Sequence, residues 1–78
     1  MHYVYILESR CGAHFYVGQT QDLKKRLSSH NDGQVRHTSK CRPWKLRTYI
    51  GFEDRARALE FETYLKSGSG RAFAKKRL

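Results

Sequence analysis

No stretch of this 78-residue sequence stays apolar for the roughly 18 residues that a membrane-spanning helix needs, and no basic segment leads into an apolar one. Neither a membrane span nor a secretory leader is expected, which makes a cytoplasmic protein the expectation. Cysteine is scarce as well: Cys11 and Cys41 stand thirty positions apart, outside any Cys-x-x-Cys pair. Such spacing makes a poor metal finger, and two reduced thiols are the simpler expectation. His2, His14, His30 and His37 show no zinc-ligand spacing either. Repeats, linkers and low-complexity segments are absent too. A single domain over residues 1–78 is expected, near the lower size limit for one hydrophobic core.

Acidic residues are also few. Seven Asp and Glu face sixteen Lys and Arg, for a formal net charge of +9 and a pI near 10.0. A surface with that excess attracts polyanions, and nucleic acid is the first candidate. The plain alternative is a charged surface with no partner.

The residues that are present fall into short periodic runs. "HYVYILE" (2–8) and "HFYVG" (14–18) are rich in β-branched and aromatic residues on either side of a turn holding Gly12, which predicts a β-hairpin. Tyr3, Tyr5 and Leu7 then share one face of the first strand, with Val4 and Ile6 on the other. In "TQDLKKRLSSH", Leu23 and Leu27 sit at i and i+4, with Thr20 as N-cap and Asp22 in the first turn. That predicts a short helix ending near Asn31 to Gly33, with Arg26 and His30 as a polar stripe beside the leucines. Residues 31–43 read as an exposed loop. "WKLRTYIGF" sets Trp44, Leu46, Thr48 and Ile50 against Lys45, Arg47 and Tyr49, a third strand. Asp54 caps a second helix with Ala58, Phe61 and Leu65 on its apolar face, "SGSG" (67–70) ends it, and a basic turn or helix, "RAFAKKRL", follows. Trp44 and Phe52 are assigned to the core. The order β-β-α-β-α-α predicts an α+β fold, a three-stranded antiparallel sheet flanked by helices.

Tyr5 and Tyr16 lie eleven positions apart in the predicted hairpin; Arg26 follows Tyr16 by ten, and His30 follows Arg26 by four. In this spacing the chain resembles the GIY-YIG nucleases, and most closely their small single-domain members. "YVY" stands where the first motif stands and "YVG" where the second does, making Tyr5 and Tyr16 the motif tyrosines, with Arg26 and His30 as the first-helix pair. The metal-binding glutamate of that family falls in "RALEFETYLK", where Glu62 matches by position and Glu60 is the fallback. Two departures are plain. Tyr3 replaces the first glycine, and no asparagine follows Asn31 to supply the phosphate contact that some members make near the C-terminus. That contact falls to Ser67, Ser69 or backbone amides, or is lost.

The residue types suit phosphodiester hydrolysis, which needs an activated water, a cation for charge building on the phosphoryl oxygens, and a metal or acid for the leaving oxygen. Tyr5 or Tyr16 is the candidate to take or relay the water's proton, although a phenol with a pKa near 10 needs a neighbouring positive charge for that. Arg26 offers a planar fork for phosphate or phenolate, and His30 a phosphate contact or proton shuttle. Glu62 suits Mg²⁺ or Mn²⁺, because a hard cation that keeps its waters and shares the substrate phosphate needs only one carboxylate. His37 is a second candidate phosphate contact. Lys24, Lys25, Lys75, Lys76 and Arg77 are assigned to sequence-independent backbone affinity. The resemblance thus implies a Mg²⁺-dependent endonuclease acting on DNA, or on RNA, by a one-metal, tyrosine-assisted mechanism. The competing expectation is a catalytically idle nucleic-acid-binding module. Each residue also has an ordinary role open to it: core aromatics for the tyrosines, a solvated helix position for Arg26, an i+4 partner of Lys66 for Glu62.

Overall fold

The computed structural model describes residues 1–10, 12, 14–35 and 41–78. Its elements follow the expected order: β1 (His2–Ser9), β2 (Phe15–Thr20), α1 (Leu23–Asn31), β3 (Trp44–Phe52), α2 (Arg55–Leu65) and α3 (Gly68–Arg77). The three strands form one antiparallel sheet in the order β2-β1-β3. Among the described residues no helix is long and apolar enough to cross a membrane.

The central strand explains the layering. Val4, Tyr5, Ile6 and Leu7 are all buried in succession, as happens only when both faces of a strand are covered. Tyr5, Leu7 and Trp44 form one core with Leu23 and Leu27 of α1. Val4 and Ile6 form the other with Ala58 and Leu65 of α2, and Ala74 and Leu78 close over it. The hairpin and the two faces of β1 are as the sequence indicated.

β3 departs from its simple alternation. Ile6 pairs with Thr48, but Leu7 pairs with Leu46, so Arg47 is an extra residue in a bulge. Cross-strand partners share a face. Trp44 and Leu46 therefore lie on the α1 side, while Thr48 and Ile50 lie with Ile6 and Val4 on the other; the four do not form the single row that alternation predicts.

The caps differ from expectation in one place. Asp22, not Thr20, is the N-cap of α1, its carboxylate accepting from Lys25 N–H at 3.0 Å. Thr20 Oγ1 instead accepts from Asp22 N–H at 3.1 Å, turning the chain out of β2. Asp54 caps α2 as expected, accepting from Ala56 N–H at 2.9 Å. "SGSG" both ends α2 and starts α3: Ser67 is the α3 N-cap, accepting from Gly70 N–H at 3.1 Å. The close turn depends on Gly70, whose absent Cβ would collide with the Tyr64 carbonyl and lie 2.6 Å from Leu65 Cα.

Gly70→Ala should therefore destabilise by about 1–3 kcal/mol, as overpacking does, although alanine is the better helix former. Gly68→Ala, with nothing within 4 Å of the added methyl, should hold or raise stability by about 0.4–1 kcal/mol. Thermal unfolding of the two variants checks this, and a Tm for Gly70→Ala at or above the wild type's would contradict the packing described.

Candidate active site

Tyr5 is carried by the middle of the central strand and is 2 % exposed, so its hydroxyl has to find partners within the protein. It finds them on α1. Arg26 Nε–H donates to Tyr5 Oη at 3.1 Å, and Tyr5 Oη lies 2.9 Å from His30 Nε2. The i, i+4 spacing on one helix is what brings both side chains to the same phenol. His30 is itself fully buried.

Burial raises the Tyr5 pKa, and the neighbouring Arg26, which pulls the other way, does not cancel it; the charges of Tyr16 and Glu62 add to the rise. Burial likewise lowers the His30 pKa, with the Arg26 charge adding to it. Tyr5 is thus a neutral phenol and His30 a neutral imidazole. With Arg26 donating to the Tyr5 oxygen, His30 Nε2 at 2.9 Å stands where it can receive the phenol proton, an arrangement that goes with the imidazole proton on Nδ1.

Tyr16 enters from the edge strand β2. Its ring packs edge-on against His30, with centroids 4.7 Å apart, and lies 6.2 Å from the Tyr5 ring. Unlike Tyr5 it is only partly buried. Gly18, paired with Tyr5 across the hairpin, makes room for both rings: a Cβ there would lie 2.6 Å from Tyr5 Cζ and 2.9 Å from Tyr16 Cε1. The glycine of "YVG" is thus a packing requirement of the two phenols. Arg26 touches both of them; its hydrogen bond to Tyr5 is the first cause of its raised pKa and a hydrogen bond to Tyr16 the last, so it stays cationic.

Glu62 approaches from α2. Its side chain is 18 % exposed, and Oε2 accepts from Lys66 Nζ at 2.9 Å, the i+4 partnership foreseen from sequence. Its charge nevertheless reaches Tyr5. Glu60 is exposed on the same helix. Among the described residues no group of three or more His, Cys, Asp or Glu is placed to hold a metal ion. A lone carboxylate already carrying an ammonium does fit a hard cation that takes its other ligands from water and a phosphate.

Of the other candidates, Lys24 and Lys25 are exposed on α1, and Lys75, Lys76 and Arg77 are exposed in the last turn of α3. His37 lies outside the described residues. Ser67 is engaged in capping, and its Oγ–H also donates to the Tyr64 carbonyl; Ser69 is exposed. Sequence reasoning gave Asn31 no role beyond the helix stop. In the structure its amide donates to the Trp44 carbonyl at 3.1 Å and accepts from Trp44 N–H, pinning the end of α1, and with it His30, to β3. An amide side chain at a predicted helix end is a weak signal for such a clamp.

Residues 1–77 match the GIY-YIG catalytic domain. The chain belongs to the GIY-YIG family. Among GIY-YIG relatives, a UPF0213 protein of Streptococcus pneumoniae is 38% identical over 65 residues, covering 82% of this chain and 65% of its own length. The chain thus spans about two thirds of that relative. The Structure-specific endonuclease subunit slx1 of Schizosaccharomyces japonicus is 34% identical over 64 residues, 77% of this chain and 23% of that protein. The solution NMR structure of a UPF0213 protein from Bacillus halodurans superposes with a TM-score of 0.58 at 32% identity, covering 95% of this chain and 79% of that one. The GIY-YIG fold reading from sequence is thereby met.

The His30 pKa, read from the imidazole shifts in an NMR titration, should fall below the ordinary value of about 6.5. Arg26→Gln should raise it only partway, because burial is the larger cause. A depressed folded-state pKa means that stability is present above the unfolded value and is lost as pH falls through the folded one. Acid unfolding should therefore begin as pH drops below about 6.5, and a His30 pKa above that value would overturn the assignment of a buried neutral imidazole.

Proposed function

We propose that this protein is a divalent-metal-dependent endonuclease that hydrolyses phosphodiester bonds in DNA, with Mg²⁺ or Mn²⁺ held by Glu62. The observation that carries the proposal is the hydrogen-bonded cluster of Tyr5, Arg26 and His30 with Tyr16 against it and the Glu62 charge in range. Family membership and the likeness to an slx1 endonuclease subunit support nucleic acid as the substrate. The net charge of +9 supports it too.

The two phenols take different parts in this mechanism. Tyr5 is buried, neutral and held at both ends, which suits relaying a proton toward His30 and fixing Arg26. Tyr16 is the less buried phenol, and it is the one we assign to the attacking water. Arg26, close to both, stabilises negative charge on the Tyr16 oxygen and on the phosphoryl oxygens. The bound cation, on Glu62, would supply charge for the leaving oxygen. Lys66 is the counter-ion of Glu62 in its absence. Exposed cations on α1 and α3 hold substrate and transition state alike.

Glu62→Gln should reduce Mg²⁺-dependent single-turnover cleavage to background while leaving DNA affinity nearly intact. Replacing Lys75, Lys76 and Arg77 together should do the reverse, weakening binding with little change in kcat. Loss of the Glu62–Lys66 contact is a small structural change, since ion pairs at this spacing on exposed helices contribute about 0.3–0.5 kcal/mol. Full cleavage by Glu62→Gln would remove the metal assignment. A wild type that binds DNA and RNA but cuts neither would leave an idle nucleic-acid-binding module.

A further inference from the structure

On the α2–α3 side of the sheet, beside β2, lies a groove of about 740 Å³, within the range of sites that hold small ligands. Ile6, Val17, Leu65 and Leu78 contribute to an apolar floor. Arg47, Lys66, Arg71 and Lys75 supply four cations, with no Asp or Glu side chain among the described residues that line the groove. Two of the four have partners: Arg47 reaches Glu8 at 3.4 Å, and Lys66 is held by Glu62. Among the described residues, Arg71 and Lys75 make no ion pair. Phe15 stands in the wall, 55 % exposed, with the Arg47 guanidinium 5.4 Å from its ring centroid. Tyr16, of the candidate active site, lines the same groove.

We infer that this groove is a subsite for an unpaired nucleotide next to the bond being cut, with the base stacked on Phe15 and the neighbouring phosphates on Arg71 and Lys75. The inference rests on nucleic acid being the substrate and goes further by naming its local form. The Phe15 ring, more than half exposed with the Arg47 guanidinium over it, offers a flat surface in the wall of a cationic groove on which a planar group can stack. Bases inside a duplex are already stacked on each other and offer no face to the ring; an unpaired base does. An acidic peptide would satisfy the cations but bring no planar group to the phenyl. An apolar small molecule would leave Arg71 and Lys75 without an anion. The bulge in β3 is what puts Arg47 over Phe15, and the adjacency of Phe15 and Tyr16 ties the groove to the candidate active site.

The test is equilibrium binding of the full chain in EDTA, by fluorescence anisotropy. The probes are a labelled single-stranded DNA of about ten nucleotides, in the range of stacking-platform sites, and a blunt duplex of the same sequence. Phe15→Ala should weaken single-strand binding by about 5- to 150-fold, the loss of one base–aromatic stack, and leave duplex binding nearly unchanged. Phe15→Trp should retain single-strand affinity, and its introduced indole should be quenched by the single strand and not by the duplex, which keeps the proposal falsifiable if Phe15→Ala misfolds. Arg71→Gln should lower the salt slope of single-strand binding by about 0.7. Equal losses on both probes for Phe15→Ala, no loss on either, or an unquenched indole would overturn the subsite. Because these measurements contain no metal, Phe15-dependent binding by a protein that never cleaves would retain the subsite and remove the nuclease, whereas cleavage with Phe15-independent binding would do the opposite.

Discussion

A phenol hydroxyl buried in the middle strand of a sheet must be satisfied by the protein around it, at a cost of about 1–3 kcal/mol if it is not. Tyr5 is that group, and most of the α1 side of the molecule follows from it. Arg26 and His30 have to stand one turn apart to reach one oxygen, which fixes how α1 is rotated against the sheet. Asn31 then fixes the helix end to β3, and Gly18 leaves the space into which the phenols fit. The packing of this face and its chemistry are the same set of contacts.

The other face is built differently, and its side chains come next to the first at the edge strand. Val4 and Ile6 pack on α2 and α3 through ordinary apolar burial. β2 joins the two: Tyr16 packs against His30, while Phe15 and Val17 border the groove beside α2 and α3. Glu62 in the last turn of α2 and Lys66 at its C-cap lie one turn apart, one sending its charge toward Tyr5 and the other lining the groove. A substrate phosphate at that edge would meet both halves of the protein.

Much of this was legible in the sequence because local patterns and global needs agreed. The β-branched and aromatic runs on either side of Gly12 gave the hairpin and the two faces of β1, the Leu23/Leu27 and Arg26/His30 pairs gave the two stripes of α1, and Asp54 marked the start of α2. What escaped depended on long-range register. The bulge at Arg47 has no local signature, so Thr48 and Ile50 were set on the wrong face relative to Trp44. Thr20 and Asp22 are both good capping residues two positions apart, and only the backbone path out of β2 decides between them. Among site residues, the spacing of Tyr5, Tyr16, Arg26 and His30 pointed to a cluster that the structure does bring together. The roles of Phe15, Arg47 and Asn31 could not be read, since each depends on a partner far along the chain.

The central claim is that a neutral Tyr5 hydroxyl donates to a buried, neutral His30 and thereby organises the site. Its most direct test is the imidazole tautomer of His30, read from ¹⁵N-edited NMR of the full chain at neutral pH. The account predicts the proton on Nδ1, with Nε2 bare and showing the shift of a hydrogen-bonded acceptor; Tyr5→Phe should perturb that Nε2 resonance. A proton on Nε2, or a doubly protonated ring, would contradict the account.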